Sequence, residues 1–429
     1  MAQLPPQLPA EVWVSVFEYL TATDKSNVRA SCKYFKKLID RGSLWRDWTV
    51  ILNFKKGPFN NQFWATLRRR KVSSVVVRSS KAKDWKQLSL SLPALTTVVM
   101  DQSSQKSISC LKEFPNLRRL AIRNSDSALF LDLHTVCQPQ QLTHLSMCDV
   151  RIPRTSVRGI ISVVSNFTNL TSLVCHQMRI VGETVGVIHS ILTCLPKLKH
   201  LSLSAVNLCS FPRSEPILFE AGVYGGAGPP ALSSLELIDC LDSSLPEEGL
   251  GLMPHLNRLT VSYKHSSHAL TVCHLKTWLC NLPQLSTLFI VRGPPVNMYV
   301  TSIPACVVSL TLCVPGLSSE DMAAVAVQVP NLLHLHIDSW HSPLGAHISQ
   351  IPQLFPKLRS LKLHHGQVPE KDFLQLHRLQ DLQYLEILDN QPLLSERISK
   401  LRSLTNYRLH IRVPPHKRDL FSCSCVYVY

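Results

Sequence analysis

The chain contains no run of about 18 apolar residues, which excludes a membrane-spanning helix. No basic stretch precedes an apolar one at the N-terminus, and Glu11 sits inside the first apolar segment. A soluble intracellular protein is expected, in the cytoplasm or alternatively the nucleus. There is no CxxC pair; the 14 cysteines stand singly in leucine-rich segments, so neither a disulfide frame nor a paired-cysteine metal site is expected. Cys273-His274 with Cys280, and Cys423 with Cys425, lack a second pair at ligand spacing. Glycine is scarce, 15 in 429 residues, and the GGAG at Gly225 has neither the lysine nor the strand-to-helix setting of a phosphate cradle. GxSxG and HExxH are absent too. The expectation is a chain that is not an enzyme and has no metal or cofactor. Cys425 is fifth from the end, which excludes a prenylation box, and the Val426-Tyr427-Val428-Tyr429 alternation reads as an edge strand.

Acidic residues are also few, 29 against 45 Lys and Arg, for a net charge of +16. The excess is local. Residues 51–90 carry ten bases and one acid, Asp84, whereas residues 201–250 carry Arg213 and seven acids. Such blocks steer partners. The basic block has no interleaved aromatic platform and no reader motif, so a nucleic-acid or membrane-surface binder is the weaker reading and a solvated basic rim the plainer one.

What the chain does have begins at its start. Val12, Trp13, Val16, Phe17 and Leu20 recur at helical spacing after Pro9, a residue suited to a first helical turn. Thr23 or Asp24 is expected to cap a second helix with Val28 and Cys32; Tyr34, Phe35 and Leu38 continue onto a third before Leu44-Trp45. A unit of about 40 residues has too small a core to stand alone, so this segment reads as a docking module, with a plain three-helix cap as the alternative.

Leu8, Pro9, Glu11, Val12, Val16, Phe17, Leu20, Asp24, Val28, Cys32, Phe35, Leu38, Leu44 and Trp45 together resemble the F-box pattern. The resemblance implies three helices that bind a Skp-type adaptor through Leu8, Pro9, Val12, Val16, Phe17 and Leu20. Trp13 stands where the family has Leu, and Lys25 where an apolar residue follows the Asp. Both departures are expected to alter adaptor contacts.

From residue 72 one phrase returns, Leu-x-x-Leu-x-Leu. Clear copies start at Leu95, Leu117, Leu142, Leu170, Leu198, Leu232, Leu256, Leu285, Leu332, Leu358 and Leu382, and weaker ones at Val72, Val307 and Leu404. The fourteen copies lie 22 to 29 residues apart, with one step of 34. That is mostly the period of leucine-rich repeats. Positions one, four and six point into a shared core and positions three and five out of a short strand. Stacking then gives a parallel sheet on the concave side of a horseshoe, with helices such as those predicted after Pro153, Gly182 and Ser318 on the convex side. The family's ninth-position Asn or Cys is mostly missing, which leaves the turn geometry open. The long step holds a Pro- and Gly-dense loop, Phe211 to Pro230.

The expected fold is α/β: an F-box over 1–50, a basic linker over 51–71, about fourteen irregular leucine-rich repeats over 72–413 with a loop insertion at 208–230, and a tail over 414–429. This order resembles the F-box/LRR-repeat family. The resemblance implies a non-catalytic substrate-recognition subunit of an SCF-type ubiquitin ligase, working by proximity. A non-degradative scaffold is the rival reading. The expected partners are a Skp-type adaptor, through it a cullin-RING ligase, and a protein substrate, with no nucleic acid. Outward positions three, five and seven present Arg119, Arg123, His144, His176, His200, Arg258, His334, His336, Lys362 and His364, with Asp101, Glu236, Asp338 and Glu386 as the chief acids. Of these, Arg119, Arg123, His144, His200, Arg258, His334, His336 and Lys362 are the candidate substrate-binding residues. A strip so rich in donors suits an acidic or phosphorylated segment.

Overall fold

Pro9 precedes helix α1, Ala10–Glu18, and its carbonyl accepts from the backbone N–H groups of Val12 and Trp13. Helix α2 spans Ala22–Ser31 and is capped by Thr21, whose Oγ1 accepts from Asp24 N at 3.2 Å. This corrects the expected cap: Thr23 and Asp24 lie inside the first turn, where the acid favours the positive helix end. Cys32 Sγ accepts from Phe35 N at 3.4 Å to begin α3, Lys33–Ile39. A short 3₁₀ turn, Gly42–Trp45, closes the head over a core of Phe17, Leu38, Ile39, Leu44 and Trp45.

The computed structural model describes residues 8–45, 48–56, 59–101, 109–126, 133, 138–151, 159–176, 187–204, 231–238, 253–263, 273–314, 316–338, 348–363, 368–388 and 394–413. The expected loop at 208–230, the tail at 414–429 with its edge strand, and His364 lie outside them. Two compact units divide the chain, Met1–Leu170 and Thr171–Val426.

In the first unit the head leads into strands β1 (Thr49–Asn53), β2 (Ser74–Arg78), β3 (Thr97–Asp101), β4 (Arg119–Asp126) and β5 (His144–Arg151), each pairing in parallel with the next. Residues 51–71 are therefore no linker. They complete β1 and form helix α4, Asn61–Arg69, capped by Asn60. The phrase lacks its leading leucine in this repeat, because Asp47 stands at its first position, although Leu52 keeps the buried sixth. Helix α5, Ala82–Ser91, follows β2 and buries Trp85 and Leu88.

The second unit stacks ten strands in sequence order, again parallel: β6 (Ser172–His176), β7 (His200–Ser204), β8 (Ser234–Ile238), β9 (Arg258–Ser262), β10 (Thr287–Val291), β11 (Ser309–Cys313), β12 (His334–Asp338), β13 (Ser360–Leu363), β14 (Tyr384–Ile387) and β15 (His410–Arg412). Connections of this length carry the chain back before each new strand, which parallel pairing requires. Helices Gly159–Val164, Val187–Cys194 and Ser319–Gln328 form where the periodicity predicted them. The weak copy at Leu404 is corrected: Leu404 ends the helix Leu394–Leu404 and is exposed, and the strand begins later, at His410.

Phrase positions one, four and six are buried, as with Leu285, Leu288 and Ile290. Position five is mostly polar in the second unit, with Ser202, Thr311, His336 and Glu386 buried there, whereas in the first Val76, Val99 and Ala121 occupy it and are buried as an apolar cluster of their own. The missing ninth-position residue has a substitute. Ser79 and Arg292, at phrase position eight just after β2 and β10, take positive φ of 52° and 55°, so there the turn out of the strand is made one residue earlier by a left-handed backbone. Asn124 and Asp149, at the same position inside β4 and β5, take 48° and 52°, and the pairing of those two strands skips them and resumes at Ser125 and Val150.

Candidate functional site

Helix α1 is apolar on two sides. Ala10, Trp13, Val14, Phe17 and Leu20 face the head's own core, with Trp13 edge-on to Phe35 at 4.8 Å between ring centroids. Leu8, Val12, Val16 and Tyr19 form a second stripe at helical spacing, and it faces solvent: they are 42%, 42%, 44% and 91% exposed. Tyr34 on α3 is also exposed. An apolar stripe left open beside a filled core marks a protein-interaction surface.

Of the six residues nominated for adaptor binding, Leu8, Pro9, Val12 and Val16 stand on the open side. Phe17 and Leu20 belong to the inner stripe instead, because their spacing from Trp13 carries them round to the core. Tyr19 was missed, although its distance of seven residues from Val12 was the available signal.

Residues 5–49 match the F-box-like family model. No curated protein matches the chain. Among solved structures, the crystal structure of a Bacteroides fragilis protein shares 12% identity over 81% of this chain and 76% of that one, with a TM-score of 0.32.

The two departures inside the F-box-like segment turn into the head's own packing and not onto the open stripe. Trp13 packs on Phe17 and Phe35. Lys25 is 2% exposed; its Nζ donates to Leu44 O at 3.2 Å and lies 4.7 Å from the centre of the Trp48 ring. Burial pushes its pKa down, against the attraction of Glu18. A buried ammonium held by one carbonyl and a ring face gains about 2 kcal/mol from the ring and forfeits its hydration. Lys25→Met is therefore expected to leave the head's stability within about 1 kcal/mol of the parent or to raise it. Thermal unfolding followed by tryptophan fluorescence checks this, and a larger loss would show that the carbonyl and ring contacts dominate.

The F-box-like head is clamped to α4 by a single carboxylate. Asp40 receives Arg29 Nε at 2.9 Å, Arg69 Nη2 at 2.7 Å and Arg70 Nη2 at 2.9 Å. Arg70 also lies with its guanidinium carbon 3.9 Å from the centre of the Trp45 ring. Arg68 Nε donates to Ser91 O at 3.1 Å, and Arg78 pairs with Asp101 at 3.2 Å. Four of the ten bases in the block, Arg68, Arg69, Arg70 and Arg78, thus serve internal contacts within the first unit.

On the outward side of the strands the eight substrate candidates separate by position. Arg119 and His144 in the first unit, and His200, Arg258 and His334 in the second, all stand at position three and reach solvent. The other three are less available. Arg123 has its Nε and Nη2 atoms sealed from solvent, His336 is buried, and Lys362 Nζ lies 3.8 Å from Glu386 Oε1.

A buried chain of polar groups in the second unit was not foreseen. His176 Nε2 lies 2.6 Å from Ser202 Oγ, which in turn donates to Glu236 Oε2 at 2.5 Å. Because the Ser202 proton goes to the glutamate, the imidazole donates to the serine rather than activating it, and Ser202 is fully buried. The order of the three groups is wrong for nucleophilic catalysis. Burial, and secondarily the neighbouring His200, push the His176 pKa down to about 4. Among the described residues no group of three or more His, Cys, Asp or Glu side chains is placed to hold a metal, and no helix is long and apolar enough to cross a membrane.

Proposed function

We propose that the chain is the substrate-recognition subunit of an SCF-type ubiquitin ligase. The F-box-like head binds a Skp-type adaptor, and the repeats, read as leucine-rich repeats of the horseshoe kind, hold the protein substrate. The ligase acts in the cytoplasm or nucleus, and this subunit supplies proximity rather than a nucleophile. The observation that supports this reading is the open stripe of Leu8, Val12, Val16 and Tyr19 on a helix whose other side is already filled. A head serving only as an end cap has no use for that stripe.

The test is capture of a Skp-type adaptor by the full chain and by a Val12→Asp, Val16→Asp variant. Two carboxylates in an apolar interface are each left without a partner, so adaptor affinity is expected to fall at least about 100-fold. The circular dichroism spectrum should not change, since both side chains already face solvent. Equal capture by the variant, or no capture by the parent chain, would remove the ligase reading and favour the scaffold.

A further inference from the structure

The second unit carries one row of side chains whose chemistry differs from its neighbours. At position three of its ten strands stand four serines, one threonine, one tyrosine, three histidines and Arg258, in lateral register from β6 to β15. Every one has an O–H or N–H to donate, and none is a carboxylate. The acids of this sheet face lie in other rows, Glu236 and Glu386 at position five and Asp338 at position seven. Two of those acids are engaged, Glu236 by Ser202 and Glu386 by Lys362. The first unit continues the same donor chemistry at position three, with Thr49, Ser74, Thr97, Arg119 and His144 in register, but there an apolar cluster of Val76, Val99 and Ala121 lies beside it at position five.

Strands about 4.8 Å apart place His200 and His334, five strands from each other, roughly 24 Å apart. An extended peptide of about seven residues spans that distance. Such a peptide running across the strands meets a donor at each strand and a full positive charge at Arg258, which is exposed. His200 Nδ1 and Ser234 Oγ, 3.0 Å apart, already form one lateral link of the ladder. Carboxylates and phosphates are acceptor-rich and suit this row, and a guanidinium can grip either in bidentate fashion. A basic segment would meet Arg258 without an available acid in the row.

We propose that the row from His200 to His334, with Arg258 as its anchor, binds an extended acidic segment of a protein partner through its side-chain oxyanions. The proposal rests on reading the repeats as the substrate-holding part of the chain, and it narrows that reading to one row and one class of peptide.

The experiment uses the full chain and three fluorescein-labelled peptides of about ten residues, in which serine alternates with glutamate, phosphoserine or glutamine. Fluorescence anisotropy at physiological salt is expected to show binding of a charged peptide and none of the glutamine one. The stronger of the two charged peptides identifies the source of the oxyanion. Arg258→Gln with His334→Gln should weaken binding at least tenfold. Lys276→Gln, at an exposed lysine on the helix His274–Cys280 of the same unit, should stay within twofold. Binding of the glutamine peptide, no binding of either charged one, an unaffected double variant, or an equal loss with Lys276→Gln would each overturn the proposal. The Val12→Asp, Val16→Asp variant should bind the peptides as the parent does. Loss of adaptor capture with peptide binding intact therefore bears on the ligase reading alone.

Discussion

Replacing Asp40 by Ala is expected to destabilise the first unit by about 3–5 kcal/mol, the range for removing one partner of a buried ion pair. The carboxylate is nearly sealed from solvent and receives three guanidinium groups, so its loss leaves their charges facing one another without compensation. Arg70 carries most of the effect. It is only 15% exposed and is held over Trp45, whereas Arg69 is 57% exposed and can turn to water. Arg69→Gln should accordingly cost less than about 1 kcal/mol. Burial by itself would raise the Asp40 pKa, but the hydrogen bonds and charges of Arg29 and Arg70 outweigh it and hold the carboxyl below its ordinary value. The stabilisation is thus fully present above the ordinary carboxylate value of 3.8 and disappears as pH falls below it towards the lowered folded value. Urea unfolding read by tryptophan fluorescence at neutral pH decides the point. A loss under about 1 kcal/mol for Asp40→Ala would mean that the head is not clamped to α4 through this group.

The second unit should lose stability on mild acidification, and His176 should account for much of the loss. Its imidazole is buried against Ser202 and protonates in the folded chain only near pH 4, whereas an unfolded histidine protonates near 6.5. Between those values the unfolded chain binds the extra proton, so stability rises with pH across this window and falls as pH drops through it. At 1.36 kcal/mol per pH unit, going from pH 7 to pH 5 should remove about 2 kcal/mol through this residue. His200 adds in the same direction, because burial lowers its pKa as well. In His176→Gln the difference in unfolding free energy between pH 7 and pH 5 should shrink by about that amount. An unchanged difference would show that another group sets the acid sensitivity.

The repeats were legible because burial imposes a period on the sequence. Leucines at positions one, four and six mark the buried side of the strand in the clear copies, and the strands form there. The repeat of β1 was hidden because Asp47 replaces the leading leucine, and β15 was misplaced because Leu404 and Tyr407 imitate the phrase while a helix is still ending. In the head, the motif residues located the three helices. Which side of α1 stays open depended on where α3 packs, and that sent Phe17 inward and left Tyr19 outside.

Local pattern by itself thus determined the helical head, the count and spacing of most repeats, and which alternate residues face outward, because these follow from the periods of helix and strand. Only the tertiary structure decided which of the outward charges are available. Asp40 draws in arginines 29 and 30 residues distant, Lys25 enters a core meant for an apolar side chain, and Lys362 spends its charge on Glu386 in the next strand. Whether a charged group is free or engaged depends on neighbours brought together by the fold from separate parts of the chain, and no period in the sequence records those distances.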